Sequence, residues 1–365
     1  MGELATNKGP LRIPITEQLL RTNSGPFISK PQTISEYCVT YDREVVLGRG
    51  AAKNLYDKYL RSRPNSFSLD LNNGFETFDE KTGDEELNIL LKWIELMGSK
   101  GGKLKKITHD ADVVCWRGLL TKIATTGVNK RESWKFLAVK KKGVVFMMEN
   151  ETIQKIRREQ QKTDRDARMC YWGFKFEQYM TFDDQQTEPD TSIPVTTKEE
   201  FAGVFRTNLE SVESILPNRK HIKLLYSGEI DCLNKEGDAV ELKTNRGELE
   251  KGFYMGGKSA KWWMQSFLAA IDSIVVGHRD DNGYIKKVST IRVNDIARFG
   301  GWNGNACLHI LSLILSHVLS FLHNDNDACV VEYDGDKGLN NGIVVTTIPS
   351  SNCSFVNEEF LNKFN

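Results

Sequence analysis

Residues Tyr226–Arg246 read YSGEIDCLNKEGDAVELKTNR, two runs alternating apolar and polar residues around an Asn-Lys-Glu-Gly-Asp centre. The alternation predicts strands over Gly228–Leu233 and Ala239–Lys243, and the turn-forming composition between them predicts a hairpin through Asn234–Asp238. Acidic residues are poor strand formers, so Glu229, Asp231 and Glu241 need a reason to be there. A period of two puts Glu229 with Asp231 on one face and Glu241 with Lys243 on one face, while Ile230, Val240 and Leu242 point the other way, into a core. Three carboxylates and one ammonium then converge. Crowded carboxylates in a half-buried place repel, and one must protonate unless a cation neutralises them. A hard divalent ion, Mg²⁺ or Mn²⁺, suits such oxygen ligands. Two ions ~3.5–4 Å apart would stabilise the attacking and leaving oxygens of a phosphoryl displacement. Lys243 beside them would orient the water or hold the scissile phosphate. The alternative is a solvated hairpin face whose charges pair with one another.

Around this stretch, helix and strand signals interleave. Leucines and isoleucines at three- and four-residue steps predict a helix over 85–97. Strands are predicted at 111–116, 134–139, 144–148, 274–277, 287–293, 329–333 and 342–348, and a further helix over 260–273. The charged segment 149–168 reads as a solvated helix and 182–200 as a loop or insertion. The one long apolar run, NACLHILSLILSHVLSFL at 305–322, carries His309, His317, Ser312, Ser316 and Ser320 at helical spacing, which fits a buried core helix with a small polar stripe better than a membrane span. With no internal repeat and no convincing linker, one mixed α/β domain over 34–365 is the economical reading, preceded by a Pro-, Gly- and Thr-rich arm, poorly ordered, at 1–33.

Composition narrows the partners. The 365 residues hold 49 Lys plus Arg against 49 Asp plus Glu, so no global field attracts nucleic acid and any basic surface must be local. Seven scattered cysteines without a CxxC pair argue against a zinc site and for a reduced intracellular compartment. The N-terminal MGELATNKGPLRIP lacks an apolar signal core, and Gly2 with Thr6 meets the myristoylation pattern only loosely.

Three further stretches carry candidate chemistry: ADVVCWRGLLTKI (111–123) with Arg117, YWGFKFEQYM (171–180) with Glu177, and KWWMQ (261–265) with Gln265. Singly, each has an ordinary explanation in a surface ion pair, an aromatic core or a helix-face amide. The acidic pair followed by Glu-x-Lys resembles the PD-(D/E)XK nuclease superfamily. In order along the chain, an Arg, Gly-Φ-x-Φ-Glu (173–177), Glu-Φ-Asp (229–231), Glu-Φ-Lys (241–243) and a Lys and Trp shortly before Gln265 resemble the DXO family of RNA 5′-end quality-control enzymes, over most of the chain from about LDLNNGFETF (69–78) to the strands near 290. The resemblance implies a nuclease-like core, a mixed central sheet flanked by helices with a further antiparallel sheet. It implies that Glu177, Asp231, Glu241 and the main-chain carbonyl of Leu242 bind divalent cations, two in number, and that Glu229 acts through a metal-bound water. It places Lys243 and Gln265 on the attacking water and scissile phosphate, and Arg117 on the phosphates of the RNA 5′ end.

The activities so implied are pyrophosphate release from 5′-triphosphate RNA and removal of incompletely methylated and NAD-type caps, with 5′→3′ exoribonuclease activity in some members. The spelling of 67–95 and of YWGFKFE is similar to the fungal branch whose members partner a nuclear 5′→3′ exoribonuclease. That branch implies a nuclear location, with the cytoplasm as the alternative; no membrane is implied. Two other readings stand beside it. A catalytically idle partner protein is one, against which a complete acid set argues. The other is a nucleotide hydrolase, because GFYMGGKS (252–259) spells the phosphate-cradling loop; the charged RGELEK before it cannot be the buried strand that loop requires.

Overall fold

The described residues form two mixed sheets, and the opening stretch runs from one into the other. A computed structural model describes residues 9–83, 86–98 and 101–365; Gly2 and the first residue of the helix expected over 85–97 lie outside these. The larger sheet has ten strands in the order Leu11–Ile13, Ile343–Ile348, Ala328–Tyr333, Trp134–Lys141, Val144–Asn150, Val113–Trp116, His221–Glu229, Glu200–Glu210, Gln32–Val39 and Val45–Leu47. Its pairs are antiparallel except on either side of Val113–Trp116, which runs parallel to both neighbours. The smaller sheet has seven strands: Leu69–Asp70, Tyr284–Arg292, Ser273–Arg279, Ala239–Arg246, Cys232–Leu233, Asn54–Leu55 and Thr181–Phe182. Where the resemblance implies an antiparallel second sheet, this one is mixed: Ala239–Arg246 and Ser273–Arg279 pair in parallel, because the helix Gly257–Leu268 carries the chain back across between them.

The expected helices and strands form with shifted ends: the first helix covers Asn88–Met97 and buries Leu90, Trp93 and Ile94. The apolar run forms the helix Gly304–Phe321, capped by the Asn303 side chain. It is long and apolar enough to cross a membrane, but Ile310, Leu311, Ile314 and Leu315 are buried in the core beneath the larger sheet. Its small polar stripe has work there: Ser312 Oγ donates to the Glu210 carbonyl at 2.6 Å and Ser316 Oγ accepts from the Val212 amide at 3.0 Å. Residues 183–199 do form a loop, but Phe182 ends the short strand Thr181–Phe182 and Glu200 opens an eleven-residue strand. Of the N-terminal segment, Leu11–Ile13 joins the sheet edge beside Ile343–Ile348, and Arg12 donates to the Asn341 carbonyl at 3.0 Å.

The charged stretch resolves into two helices, Ile153–Gln160 and Asp164–Met180. The second starts at a reciprocal cap, where Thr163 accepts from the Asp166 amide and Asp166 accepts from the Thr163 amide. It then buries Tyr171, Trp172, Phe176 and Met180 against Val240, Leu242 and Val275 of the smaller sheet. Two glycines make the close approach: a Cβ at Gly277 would come within 2.7 Å of the Phe176 ring, and one at Gly283 within 2.6 Å of Trp172. The loop after Leu69–Asp70 holds the other side, taking donors from Tyr171 to the Asn73 carbonyl (2.6 Å) and from Trp172 to Asn72 Oδ1 (3.0 Å). A helix held so firmly presents Glu177, next to buried Phe176, at a set position.

Candidate active site

The hairpin differs from its sequence reading in one instructive way. The first strand, His221–Glu229, ends at Glu229, and the next, Cys232–Leu233, begins in the other sheet after two intervening residues. The Ile230 amide still donates to Phe201 in the larger sheet (2.9 Å), while the Leu233 amide donates to Lys53 beside the smaller one (2.8 Å). Ile230 therefore packs in the core under the larger sheet, whereas Cys232, Val240 and Leu242 pack with the Glu177 helix. Glu229 and Asp231 flank the crossing between sheets; they do not share one face of a continuous strand. The turn closes as expected, with Cys232 opposite Val240, Leu233 opposite Ala239, and Asn234 Oδ1 accepting from the Glu236 and Asp238 amides.

Around this crossing the charges gather. Lys243 Nζ lies 2.5 Å from Glu241 Oε1 and 3.9 Å from Asp231 Oδ2, and Asp231 Oδ2 also accepts from the Leu242 amide at 2.6 Å. Arg117 begins a helix directly after Val113–Trp116, whose parallel register sets Trp116 opposite Ser227. The guanidinium stem then lies over Gly228, where a Cβ would meet Arg117 Nε at 2.9 Å, so any larger residue would push Arg117 off the site. Arg117 Nη1 is 3.6 Å from Glu241 Oε2, too long for a hydrogen bond. Arg117 Nε, Arg117 Nη1 and Glu241 Oε2 are all left buried without a hydrogen-bond partner.

The electrostatics match this crowding. Burial, then Asp231 and Glu229, hold the Glu177 carboxyl well above the usual range. Burial and Asp231 push Glu229 up to about 8, although its side chain opens to solvent, and burial and Glu241 push Asp231 up to about 6. Burial also opposes the charge on Glu241, whose side chain is 2% exposed, but Lys243 and Arg117 outweigh it and hold that carboxyl below its usual value. Lys243 is raised despite its burial, chiefly by Glu241 and then Asp231.

The mutual effects of Glu177, Glu229, Asp231, Glu241 and Lys243 place those five in one neighbourhood, with Arg117 at its edge. Among the described residues no three acids close on one point as a ready cage; the Lys243 ammonium stands between Asp231 and Glu241. Gln265 lies half-buried on Gly257–Leu268, and no side-chain hydrogen bond ties it to this cluster. The donor set fits a hard divalent cation: it is all oxygen, three of its carboxyls are costly to ionise unaided, and the buried Glu241 Oε2 has no hydrogen-bond partner, only the Arg117 charge at 3.6 Å. Glu200, which adds to the field on Glu229, escapes a sequence reading because it looks like the end of a loop; Arg43 (2.8 Å) and Lys81 (3.0 Å) hold it.

GFYMGGKS takes a different form from a phosphate loop. Lys251–Met255 is a helix and Gly257–Leu268 another, and the strand Ala239–Arg246 ends before the segment, so it does not run directly into it. Lys258 Nζ is spent on the Thr244 carbonyl (3.1 Å) and Asn245 Oδ1 (2.9 Å).

Known proteins resemble this chain along nearly its whole length. The profile of the RAI1-like PD-(D/E)XK nuclease family matches residues 29–361. A Caenorhabditis elegans protein named decapping nuclease dom-3 is 48% identical over 355 residues, 97% of this chain and 90% of the relative. A Drosophila melanogaster protein named decapping and exoribonuclease protein Rai1 is 31% identical, covering 90% of this chain and 91% of its own. Among solved structures, Candida albicans Rai1 in complex with pU5 and Mn²⁺ superposes with a TM-score of 0.76 at 20% identity, over 98% of this chain and 99% of the other.

Proposed function

The chain belongs to the RAI1-like PD-(D/E)XK nuclease family, and from that premise we propose that it is a divalent-cation-dependent hydrolase of RNA 5′ ends. The observation that carries the reading is Glu241 Oε2, buried without a hydrogen-bond partner among carboxyls that burial holds above their usual range. Such a group persists in a folded protein at a cost, and a cation in the site removes that cost. The relatives named for decapping support the substrate class, and the Mn²⁺ of the Candida structure supports the ion.

Glu177, Asp231, Glu241 and the Leu242 carbonyl would hold Mg²⁺ or Mn²⁺, which when bound supplies electrophilic stabilisation of the phosphoryl oxygens and a more acidic water. The protein's own groups do the rest. Arg117, with two buried donors unspent, grips phosphate oxygens of the RNA 5′ end. Lys243 positions the scissile phosphate and balances charge that builds on it, and Gln265 orients the attacking water. Glu229, the most open of the acids, accepts that water's proton. Water adds at the α-phosphorus of a 5′-triphosphate, the bond to the bridging oxygen of the β-phosphate breaks, and pyrophosphate leaves a 5′-monophosphate end. An incompletely methylated or NAD-type cap leaves as a unit when water instead adds at the phosphorus of the first 3′–5′ phosphodiester and its bond to the cap nucleoside's 3′-oxygen breaks, again leaving a 5′-monophosphate end.

Incubation of the protein with 5′-triphosphate RNA and Mn²⁺ or Mg²⁺ tests this. Pyrophosphate should appear, and the double variant Asp231→Ala/Glu241→Ala should release none. A silent wild-type protein, or a fully active double variant, overturns the reading. The proposal extends to a nuclear location and a 5′→3′ exoribonuclease partner, which the resemblance to the partner branch supports; co-purification of such an enzyme from nuclear extract, against none, tests both.

A further inference from the structure

A second basic feature sits one helical turn from Gln265. Lys261 precedes Gln265 by four residues on Gly257–Leu268, so the two share a helix face about 6 Å apart along the axis. Lys261 also lines a surface groove of about 540 Å³ together with Asn129, Lys130, Arg131, Glu132 and Arg158. Four cations therefore meet one acid in a protein whose total charge is zero. The acid is already taken: Glu132 Oε2 lies 2.5 Å from Lys261 Nζ. Lys130, Arg131 and Arg158 are exposed, and among the described residues none has a side-chain ion pair. Exposed cations ordinarily scatter or pair; three left free in one concavity make a local anion field.

The walls are built firmly. Gln154 Nε2 donates to the Arg131 carbonyl at 2.9 Å and the Ser133 amide donates to Gln154 Oε1 at 3.0 Å, which fixes the helix carrying Arg158 to the loop carrying Lys130 and Arg131. Asn129 is wedged against Gly257 at the start of the Gln265 helix, where a Cβ would collide with it. Its amide Nδ2 is buried without a hydrogen-bond partner. An unspent amide donor beside free cations is the donor set of a phosphate-tracking channel.

Resting on the function proposed above, we propose that this groove takes the backbone phosphates of the RNA just downstream of the reacting 5′ end. Continuity with the Gln265 helix favours single-stranded RNA over an acidic protein segment, because a strand whose 5′ end lies at Arg117 and Lys243 must leave along some wall of the site. The groove supplies affinity without reading bases, since it offers cations and an amide and no free aromatic face.

The test is equilibrium binding of 5′-monophosphate oligoribonucleotides of two and twelve nucleotides, in EDTA so that hydrolysis plays no part. Lys130→Glu/Arg158→Glu should weaken the twelve-mer about tenfold or more at 0.1 M salt, change the dimer less than about twofold, and make the salt dependence shallower by about 1.4, near 0.7 for each phosphate no longer neutralised. Lys220→Glu, an equal charge change per residue at an exposed site elsewhere, should leave the twelve-mer within about twofold. Equal losses at both lengths, an equal loss per charge from Lys220→Glu, or displacement of the twelve-mer by oligoglutamate as readily as by RNA overturns the proposal. An unchanged melting temperature confirms that the double variant is folded. A wild type that binds the twelve-mer better than the dimer yet releases no pyrophosphate removes the hydrolase reading and keeps the groove; one that hydrolyses without length preference does the reverse.

Discussion

Two short stretches of this chain promise phosphate chemistry, and they lie close together in sequence. EIDCLNKEGDAVELK contributes Lys243; GFYMGGKS contributes Lys258. Lys243 lies within the strand Ala239–Arg246 and Lys258 bonds to Thr244 and Asn245 of the same strand, yet their company differs. Lys243 is held between two carboxylates and its charged form is reinforced. Lys258 is held by neutral acceptors and packs 4.9 Å over the Trp262 ring; desolvation of its ammonium, then Arg279 and Lys243, push it down to about 8, although the residue as a whole is exposed. A lysine meant for phosphate needs its donors free in the resting protein or balanced by groups that let go on binding. Lys258 spends its donors on joining a helix to a strand, and in that role the resemblance to a phosphate loop ends.

The largest effect should come from attacking the first stretch. Glu241→Gln keeps the shape of the side chain and removes the charge that Lys243 and Arg117 share. Pyrophosphate release from 5′-triphosphate RNA should fall by more than about 10²-fold, beyond the cost of losing an outer-shell metal partner. Retention of more than a tenth of wild-type activity would remove Glu241 from the metal set.

The next contrast is in pH. Glu229 at about 8 and Asp231 at about 6, with Glu177 also raised, bind protons in the folded protein that the unfolded chain releases near pH 4. Stability from these protonated carboxyls is complete below about pH 4 and is lost as pH rises through about 6 and about 8. Glu241, whose carboxyl is lowered, acts oppositely: its contribution is present above its ordinary value and lost on acidification. Metal-free protein should therefore melt a few degrees lower at pH 8.5 than at pH 5.5. Mn²⁺ takes the place of the protons, so its binding should release protons and tighten with pH. The rise in melting temperature on adding Mn²⁺ should be larger at pH 8.5. Equal rises at both pH values would mean that the ion binds away from these acids.

The same contrast explains how much can be read from sequence. Alternation is a sound guide where one face of a strand is buried: it marks Glu241 and Lys243 on one face and Val240 and Leu242 on the other. It is silent about Glu229 and Asp231 being split between two sheets, because the crossing is decided by Phe201 and Lys53, partners distant in sequence. Glu200–Glu210 leaves no usable signal: Phe201 through Phe205 are buried without interruption between two neighbouring strands, so the run does not alternate, and Gly203 inside it reads as a breaker. The helix Asp164–Met180 is half legible, its charged start showing periodicity and its aromatic end looking like any core segment. The motif order identifies Glu177 and Arg117; only the fold brings them to the hairpin. The groove at Asn129 is invisible in the sequence, since its cations come from three separated segments.

The smallest expected effect belongs to Lys258. Lys258→Met removes two hydrogen bonds to neutral acceptors, and the methionine can still cover Trp262, so the cost should be about 1 kcal/mol of stability. ATP and GTP affinity should not change, because no backbone amides are arranged to cradle a phosphate there: Gly252–Met255 lies in a helix. Lys243→Met serves as the opposing arm. It strips Glu241 and Asp231 of their shared ammonium, so it should abolish most activity and make the metal-free protein lose stability faster with rising pH. If Lys258→Met instead removed nucleotide binding from a wild type that shows it, GFYMGGKS would regain its phosphate role; if the two substitutions proved equivalent in activity and in pH dependence, the company each lysine keeps would not be what separates them.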